Sequence, residues 1–358
     1  MQSDTKSYPL DRLPPIDYDA HPAYGRVLPM PMPGPRLKAL SYFGYGFLLA
    51  TAQRLIDIDH LPAPSDSGNR FVAILRALPA TLRLIVLQRL GRIAAGGAFA
   101  PKTERAAAVL APLQRDGFVA LRLGADQTGE VRRLLAAHFA TLDRKIASPD
   151  DPDSARLVVD PITAPDIYKW FNQIAADLGL SEAASAYLKR PVGVGRIAAQ
   201  VIDATPTQSP FADVGVEASP CDGYGIDLAT NVLKFVIYLG DVGPSGGPLS
   251  YVAGSQRAAR IGDALIRRAN DLCGLSSTLP QWRETFYALP AGLQRKASFG
   301  ADILTGDANA TAIDANQVTV TSEIGNAVLY DPSGIHRDGI VQQGRRQAVV
   351  LTFTELAR

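Results

Sequence analysis

The stretch GNAVLYDPSGIHRDGIVQQGRRQAVVLTFTE, residues 325–355, decides the fold. It contains two apolar, strand-like runs, and His336 lies between them, ten residues before Arg346. A histidine offers a neutral imidazole to a metal ion, and an arginine offers a planar guanidinium to a carboxylate. The spacing therefore predicts a metal ligand and an anion-binding arginine on neighbouring strands of one barrel.

Two adjacent arginines, Arg345 and Arg346, could provide the anion-binding group. Side chains alternate between the two faces of a strand, so only one of the two can point inward. Arg346 shares its face with Ala348 and Val350, which makes it the preferred candidate. Two alternatives stay open: the arginines form a solvated strand edge, and His336 ends a strand with its ring held by a backbone carbonyl.

Length and composition limit the classes of protein to which this chain can belong. With 358 residues, 47% of them hydrophobic, the chain can bury a sizeable core, and one large barrel with helical elaborations fits as well as two domains. The net charge is +1 and no dense basic block occurs, which argues against a nucleic-acid partner. Cys221 and Cys273 are too few for a thiolate cluster or a disulfide framework, so we predict a cytoplasmic protein.

Two N-terminal segments raise the question of a membrane. The apolar run at 40–52 is far shorter than the ~20 residues that a bilayer span requires, so no transmembrane segment is predicted. Residues 71–99 carry arginines between leucines and isoleucines at helical spacing. A helix that packs on its own domain is the preferred interpretation of 71–99, and peripheral membrane contact is the alternative.

The pattern of helices and strands changes along the chain. Residues 1–100 have a helical pattern after a polar, proline-rich start, and short strands bounded by Gly and Pro dominate from residue 192 onward. A helical insert interrupts these strands at about 261–293. We therefore predict an N-terminal helical extension over 1–100 and a mainly β barrel or jelly roll with helical layers over 101–358. The glycines at 193–195 lack the full dinucleotide fingerprint, which argues against a doubly wound sheet.

Four motifs carry a resemblance to a known family. They are LQRDGFVALRL at 113–123, LKFVIYLGDVGPSGGPLSYVAGSQ at 233–256, GNAVLYDPSGIHRDG at 325–339 and GRRQAVVLTF at 344–353. In this order they resemble the phytanoyl-CoA dioxygenase-like branch of the Fe(II)/2-oxoglutarate-dependent oxygenases. The resemblance covers the chain from residue 113 to its end. It implies a double-stranded β-helix of the jelly-roll or cupin-like kind, in which two histidines and one carboxylate bind iron and leave positions for 2-oxoglutarate, oxygen and substrate.

The resemblance also assigns roles to residues of the C-terminal motifs. It makes His336 the distal iron ligand. It makes Arg346, or its neighbour Arg345, the partner of the far carboxylate of 2-oxoglutarate.

The sequence departs from the family at the first metal motif, which the family writes His-x-Asp. Matching Asp222 to the acid places Pro220 where the histidine belongs, whereas matching Asp227 places Gly225 there. Asp222 is the preferred match. Cys221 is a conceivable substitute ligand, although its side chain would point away from that of Asp222 in an extended segment.

The resemblance implies an Fe(II)/2-oxoglutarate-dependent oxygenase-like protein, an oxidoreductase that hydroxylates, desaturates or cyclises a hydrophobic small molecule or specialised metabolite. Its cofactors would be Fe(II), held by His336 and Asp222, and 2-oxoglutarate. Losing one ligand should weaken iron binding, since even changes behind the ligands typically cost ~10–100-fold in affinity. The alternative is a metal-free or metal-poor relative that binds or isomerises a small molecule without oxygen chemistry.

Overall fold

The computed structural model describes residues 33–56, 99–146, 156–204, 232–257, 280–290 and 308–355, with short pieces at 209, 211–217, 224–225, 266, 269, 293–294 and 303. Contacts between residues divide the chain into two compact units. One unit comprises Met1–Ile93, Thr207–Thr230 and Ser255–Asn316, and the other comprises Ala94–Pro206, Asn231–Gly254 and Gln317–Arg358.

The longer helices and the strands follow one another along the chain in this order: α1 (Pro33–Ile56), α2 (Glu104–Asp116), β1 (Phe118–Leu121), α3 (Ala125–Leu134), α4 (Ala136–Ile146), β2 (Arg156–Val158), α5 (Pro165–Asp177), α6 (Leu180–Leu188), β3 (Val192–Asp203), β4 (Leu233–Tyr238), β5 (Ser250–Val252), α7 (Pro280–Tyr287), α8 (Ala308–Asn316), β6 (Gln317–Thr319), β7 (Ala327–Tyr330), β8 (His336–Arg337) and β9 (Arg345–Glu355). The nine strands among the described residues all lie in the second unit.

The strands form two antiparallel sheets. The six-stranded sheet has the order β1-β7-β4-β9-β3-β2, and the three-stranded sheet has the order β6-β5-β8. The longest pairing joins β3 to β9, from Val192 opposite Glu355 to Asp203 opposite Arg345, with a register shift between Val194 and Arg196. All neighbours pair antiparallel. The predicted combination of β-sheet and helices is confirmed, and the sheets are antiparallel.

The two faces of the six-stranded sheet have different neighbours, because side chains alternate along each strand. On the outer face Phe235 of β4 and Leu351 and Phe353 of β9 belong to a core of buried apolar residues from α2 to α6. On the inner face Val236 and Val350 belong to a second core that also contains buried residues of the three-stranded sheet. This second core includes Tyr251 of β5, Leu249 directly before β5 and Val320 directly after β6.

The turn from α2 into β1 shows how the local sequence sets this arrangement. The Thr103 side chain caps the first turn of α2 by accepting a hydrogen bond from the backbone N–H of Ala106 at 3.2 Å. Gly117 ends the helix with φ 86°, a left-handed conformation that favours glycine. The Gly117 carbonyl then accepts from the backbone N–H of Asp331 at 2.8 Å, so this turn anchors the end of β7.

The first unit contains α1, α7 and α8 among its described residues. Residues of α1 and α7 share an apolar cluster that includes Phe43 and Phe286, and the Tyr42 and Trp282 rings meet edge to face with 5.5 Å between centroids. Arg283 is buried and forms a 2.6 Å ion pair with Asp213. Among the helices that the structure describes, none is long and apolar enough to cross a lipid bilayer. Of the segment 71–99 with its arginines, all but the last residue lies outside the described part.

Candidate functional site

The two adjacent arginines of β9 lie in opposite surroundings, as strand alternation predicts. Arg345 is exposed, and its guanidinium donates to both carboxylate oxygens of Asp203 and to Asp143 at 2.8 Å. This ion pair lowers the pKa of the Asp203 carboxyl, chiefly through the hydrogen bond from Arg345. Arg346 is only 4% exposed and lies on the inner face of the sheet, beside Ala348. Arg345 therefore has its own carboxylate partners, and Arg346 is the arginine that points inward.

The guanidinium of Arg346 has backbone partners at one end only. Its Nη1 donates to the carbonyl oxygens of Gly247 and Gly339. Its Nε is buried and has no hydrogen-bond partner, and among the described residues no carboxylate forms an ion pair with it. Burying a cation without a counter-ion is costly, because the protein interior solvates charge poorly. The site therefore suits a ligand that brings an anionic oxygen to this guanidinium.

Two glycines let the backbone come this close to Arg346. Gly247 has φ 71°, and a Cβ added there would clash with the Gly339 carbonyl. A Cβ added to Gly339 would in turn clash with the carbonyl of Pro248. Only glycine fits where two backbone segments cross at this distance. The crossing places both carbonyls at Nη1 and so fixes the direction of the guanidinium.

Tyr238 of β4 lies on the same inner face. Its hydroxyl oxygen accepts from the backbone N–H of Leu249 at 2.8 Å. Burial raises the pKa of Tyr238 to about 12, although Leu249 and the nearby charge of Arg346 act in the opposite direction. The phenol is therefore neutral at physiological pH, and it does not supply the missing negative charge for Arg346.

His336 begins β8, where it pairs with Tyr251 of β5. The ring of His336 is half-buried, 5.1 Å from that of Tyr330 and 6.3 Å from that of Tyr251 between centroids. Its Nδ1 lies 2.9 Å from the carbonyl oxygen of Gly334. Because a carbonyl can only accept, Nδ1 is the donor in this contact, and in a neutral ring the lone pair would then be on Nε2. This contact satisfies the strand-end interpretation, and it is also how metal-binding histidines are commonly held.

One short segment contacts both predicted residues. Gly247 accepts from Arg346 at one end, and Tyr251 pairs with His336 at the other. Four residues of extended chain span at most about 13 Å. The structure therefore brings His336 and Arg346 to the same part of the inner core.

Sequence reasoning missed a buried carboxylate beside His336. Asp331 is 7% exposed, and its Oδ2 accepts from the hydroxyl of Tyr187 at 2.6 Å. Burial raises the pKa of Asp331, and hydrogen bonds from Tyr187 and Ser333 oppose that rise. The Asp-Pro-Ser-Gly turn before His336 was a usable signal for Asp331. The partner Tyr187 lies 144 residues away in the sequence and gave no such signal.

The remaining predicted metal residues cannot be placed. Asp222, Asp227, Pro220 and Cys221 lie outside the described residues. Within the part of the chain that the structure describes, no group of three His, Cys, Asp or Glu side chains could hold a metal ion. The described residues thus contain one predicted iron ligand, His336, and do not fit a complete iron site, whereas Arg346 fits the carboxylate of a keto acid.

No protein-family model matches the sequence, and no curated protein matches it either. Similar solved structures include EctD from S. alaskensis with 2-oxoglutarate and 5-hydroxyectoine, which is 18% identical, with 72% of this chain and 77% of that chain covered and a TM-score of 0.40. The epimerase SnoN from nogalamycin biosynthesis, described as non-heme and alpha ketoglutarate dependent, is 13% identical, with 70% and 82% covered and a TM-score of 0.37. AviO1 from Streptomyces viridochromogenes is 18% identical, with 70% and 95% covered and a TM-score of 0.38. Similarity at this level decides neither the fold nor the chemistry of this chain.

Proposed function

We propose that this chain is an Fe(II)/2-oxoglutarate-dependent oxygenase-like protein of the phytanoyl-CoA dioxygenase-like group, and that Arg346 binds the far carboxylate of 2-oxoglutarate. One observation carries the proposal: the guanidinium of Arg346 is buried on the inner face, and its Nε has no hydrogen-bond partner among the residues that the structure describes. A carboxylate would provide both the missing charge and the missing acceptor. The double-stranded β-helix over 101–358, with its insert at about 261–293, is the fold that accompanies this function.

The residues around Arg346 would have separate roles in binding the ligand. The carbonyls of Gly247 and Gly339 hold Nη1 of the Arg346 guanidinium, and the positive charge of the group would attract the ligand's carboxylate. Tyr238 stays neutral and does not compete for the positive charge. His336 offers the lone pair of Nε2.

His336 and Asp222 provide two donors for iron, whereas a two-histidine, one-carboxylate site has three. When bound, iron would supply oxygen chemistry for hydroxylation, desaturation or cyclisation of a hydrophobic small molecule or specialised metabolite. We expect weak iron binding. The protein is proposed to be cytoplasmic, with the helical extension over 1–100 and the segment 71–99 as the region for any peripheral membrane contact.

A second function is favoured by one specific feature of the sequence. Pro220 stands where the resemblance places the first histidine, and proline has no side-chain donor for a metal. A metal-poor relative would keep the anion-binding pocket of Arg346 and bind or isomerise a small molecule without oxygen chemistry.

Calorimetric titration of 2-oxoglutarate tests the proposed function. Replacing Arg346 by methionine removes the charge at similar length, and Arg345→Met is the matched control on the opposite face of the same strand. We expect Arg346→Met to lose roughly 30-fold or more in affinity, since truncating one partner of a buried charge pair costs about 2–5 kcal/mol. Arg345→Met should bind nearly as wild type does. An equal or reversed effect would reassign the carboxylate partner, and absence of binding to the folded wild type would reject the function.

Anaerobic Fe(II) titration separates the two functions. Pro220→His should raise Fe(II) affinity if Asp222 is the acidic ligand, whereas Gly225→His should do so if Asp227 is. His336→Ala should abolish binding in each background. An oxygenase requires Fe(II) binding in the wild type, and a wild type that binds 2-oxoglutarate but no metal would favour the metal-poor relative.

A further inference from the structure

A hydrogen bond between a partly buried tyrosine and a buried aspartate connects the outer helical layer to the end of β7. Tyr187 lies on α6, and its hydroxyl donates to Oδ2 of Asp331 at 2.6 Å. The other carboxylate oxygen of Asp331 accepts from the backbone N–H of Ser333 at 2.8 Å. Both oxygens of this buried carboxylate are therefore engaged, one by the helix layer and one by the turn that follows the strand.

The turn from Asp331 to Gly334 leads directly to the ring of His336. The backbone N–H of Gly334 donates to the backbone carbonyl of Asp331 at 3.1 Å, and the same carbonyl accepts from the hydroxyl of Tyr251 at 2.8 Å. The carbonyl of Gly334 is in turn the acceptor for Nδ1 of His336 at 2.9 Å. The N–H and the carbonyl of Gly334 belong to successive peptide groups, so the contacts of Asp331 hold the turn from which the Gly334–Ile335 peptide, the one that carries this carbonyl, continues.

The orientation of that peptide decides the tautomer of the imidazole. In a neutral histidine one ring nitrogen donates and the other accepts, and the hydrogen bond to one nitrogen selects the role of the other. With the Gly334 carbonyl aimed at Nδ1, the hydrogen stays on Nδ1 and Nε2 is the acceptor. A peptide that turned away would release this selection.

We propose, on the basis of the function proposed above, that Tyr187 and Asp331 are positioning residues for His336. They hold the turn at Asp331–Gly334 so that the imidazole presents the lone pair of Nε2 to the ligand of the site. Neither residue contacts the ligand in this role. A purely structural role would instead lower stability and leave the imidazole as it is.

Nitrogen NMR of histidine-labelled protein distinguishes these roles, because protonated and unprotonated ring nitrogens have separate signals. The chain has only four histidines, so His336→Gln assigns the signals of His336 directly. The test variants are Tyr187→Phe, which removes only the hydroxyl, and Asp331→Ala, which removes the carboxylate. The readout is the ratio of the Nδ1–H to the Nε2–H tautomer in each folded protein.

Tyr168→Phe provides the matched control. Tyr168 lies on α5 in the same helical layer, and its hydroxyl donates to the carbonyl of Val159 at 2.9 Å and accepts from the N–H of Ile197. Removing this hydroxyl also deletes contacts between the helix layer and the sheet, and neither of these two described contacts involves the Asp331 turn. Tyr168→Phe should therefore lower stability and leave the His336 tautomer unchanged.

We expect Tyr187→Phe and Asp331→Ala to lower the tautomer ratio by roughly tenfold, the factor that corresponds to the net contribution of about one hydrogen bond. Unchanged His336 signals in folded Tyr187→Phe, or an equal shift in Tyr168→Phe, would overturn the positioning role. The measurement needs neither metal nor keto acid. If the tautomer shifts in the variants but the wild type does not bind 2-oxoglutarate, the proposed function is rejected and the positioning role stands. If the wild type binds 2-oxoglutarate but the tautomer does not shift, the positioning role is rejected and the proposed function stands.

Discussion

The two faces of the six-stranded sheet are formed by the same strands but carry different kinds of side chain. The outer face presents Phe235, Leu351 and Phe353 to the helices, and its core is built from apolar side chains. The inner face presents Tyr238 and Arg346 among its aliphatic residues, with polar groups whose burial is costly. The outer face therefore accounts for stability. The inner face carries groups that stability alone does not explain, and such groups concentrate at functional sites.

The contrast is sharpest at the two arginines of β9, which are adjacent in the sequence. Arg345 lies at the surface between Asp143 and Asp203 and would be well solvated without them. Arg346 is buried, and in the described part of the chain only carbonyl groups are seen to accept from it. A surface ion pair contributes about 0–1 kcal/mol, whereas an uncompensated buried cation costs several. The inner arginine is thus the one that requires a functional explanation.

The largest expected effect comes from the outer face. Phe353→Ala should lower the free energy of unfolding by about 3–5 kcal/mol, because it leaves a cavity in the core beneath the helices. Chemical denaturation measures this loss. The affinity of the remaining folded protein for 2-oxoglutarate should stay the same, and a reduced affinity would break the distinction between the two faces.

Replacing Tyr238 on the inner face is expected to lower the free energy of unfolding by a smaller amount. Tyr238→Phe removes the acceptor of the Leu249 N–H and leaves that group buried, which costs about 1–3 kcal/mol of stability. Denaturation of Tyr238→Phe beside wild type measures the difference. A variant as stable as wild type would show that the Leu249 N–H finds water, and hence that this part of the inner face is wet.

The same residue predicts the sign of a pH dependence. The pKa of Tyr238 is about 12 in the folded protein and near 10 in the unfolded chain, so the unfolded chain loses its proton first as pH rises. Stability should therefore fall as pH rises from about 10 to about 12 through this group. Tyr238→Phe should show a shallower alkaline decline than wild type. An equally steep decline would contradict the burial of this hydroxyl.

Replacing the exposed Arg345 is expected to have the smallest effect on stability. The folded protein lowers the pKa of Asp203 through Arg345, so the pair adds stability above the ordinary aspartate pKa and loses it as pH falls through the folded value. Arg345→Met should flatten this acid decline. Unfolding followed by circular dichroism between neutral and acidic pH measures it. A large loss at neutral pH would show that Arg345 does more than form an exposed ion pair.

The local parts of this structure could be predicted from the sequence, and the long-range parts could not. Strand periodicity predicts that Arg345 and Arg346 face opposite ways, and the structure has Arg345 exposed and Arg346 buried. The bond between Tyr187 and Asp331 joins residues 144 positions apart, and no local pattern encodes such a contact. The crossing of Gly247 and Gly339 is visible only once both segments are placed. The proximal metal motif at Asp222 stays a prediction, because it lies outside the described residues.

Ligand-dependent thermal unfolding of wild type, Arg346→Met and Arg345→Met tests the central claim most directly. Each protein is compared with itself with and without 2-oxoglutarate, so the intrinsic stability of each variant cancels. At a concentration 100 times the dissociation constant, 2-oxoglutarate should stabilise wild type by about 2.7 kcal/mol. Arg345→Met should be stabilised similarly, whereas Arg346→Met, with an affinity roughly 30-fold weaker or less, should be stabilised by about 0.9 kcal/mol at most. Equal stabilisation of Arg346→Met and wild type would contradict the claim that the buried arginine of the inner face is the anion-binding group.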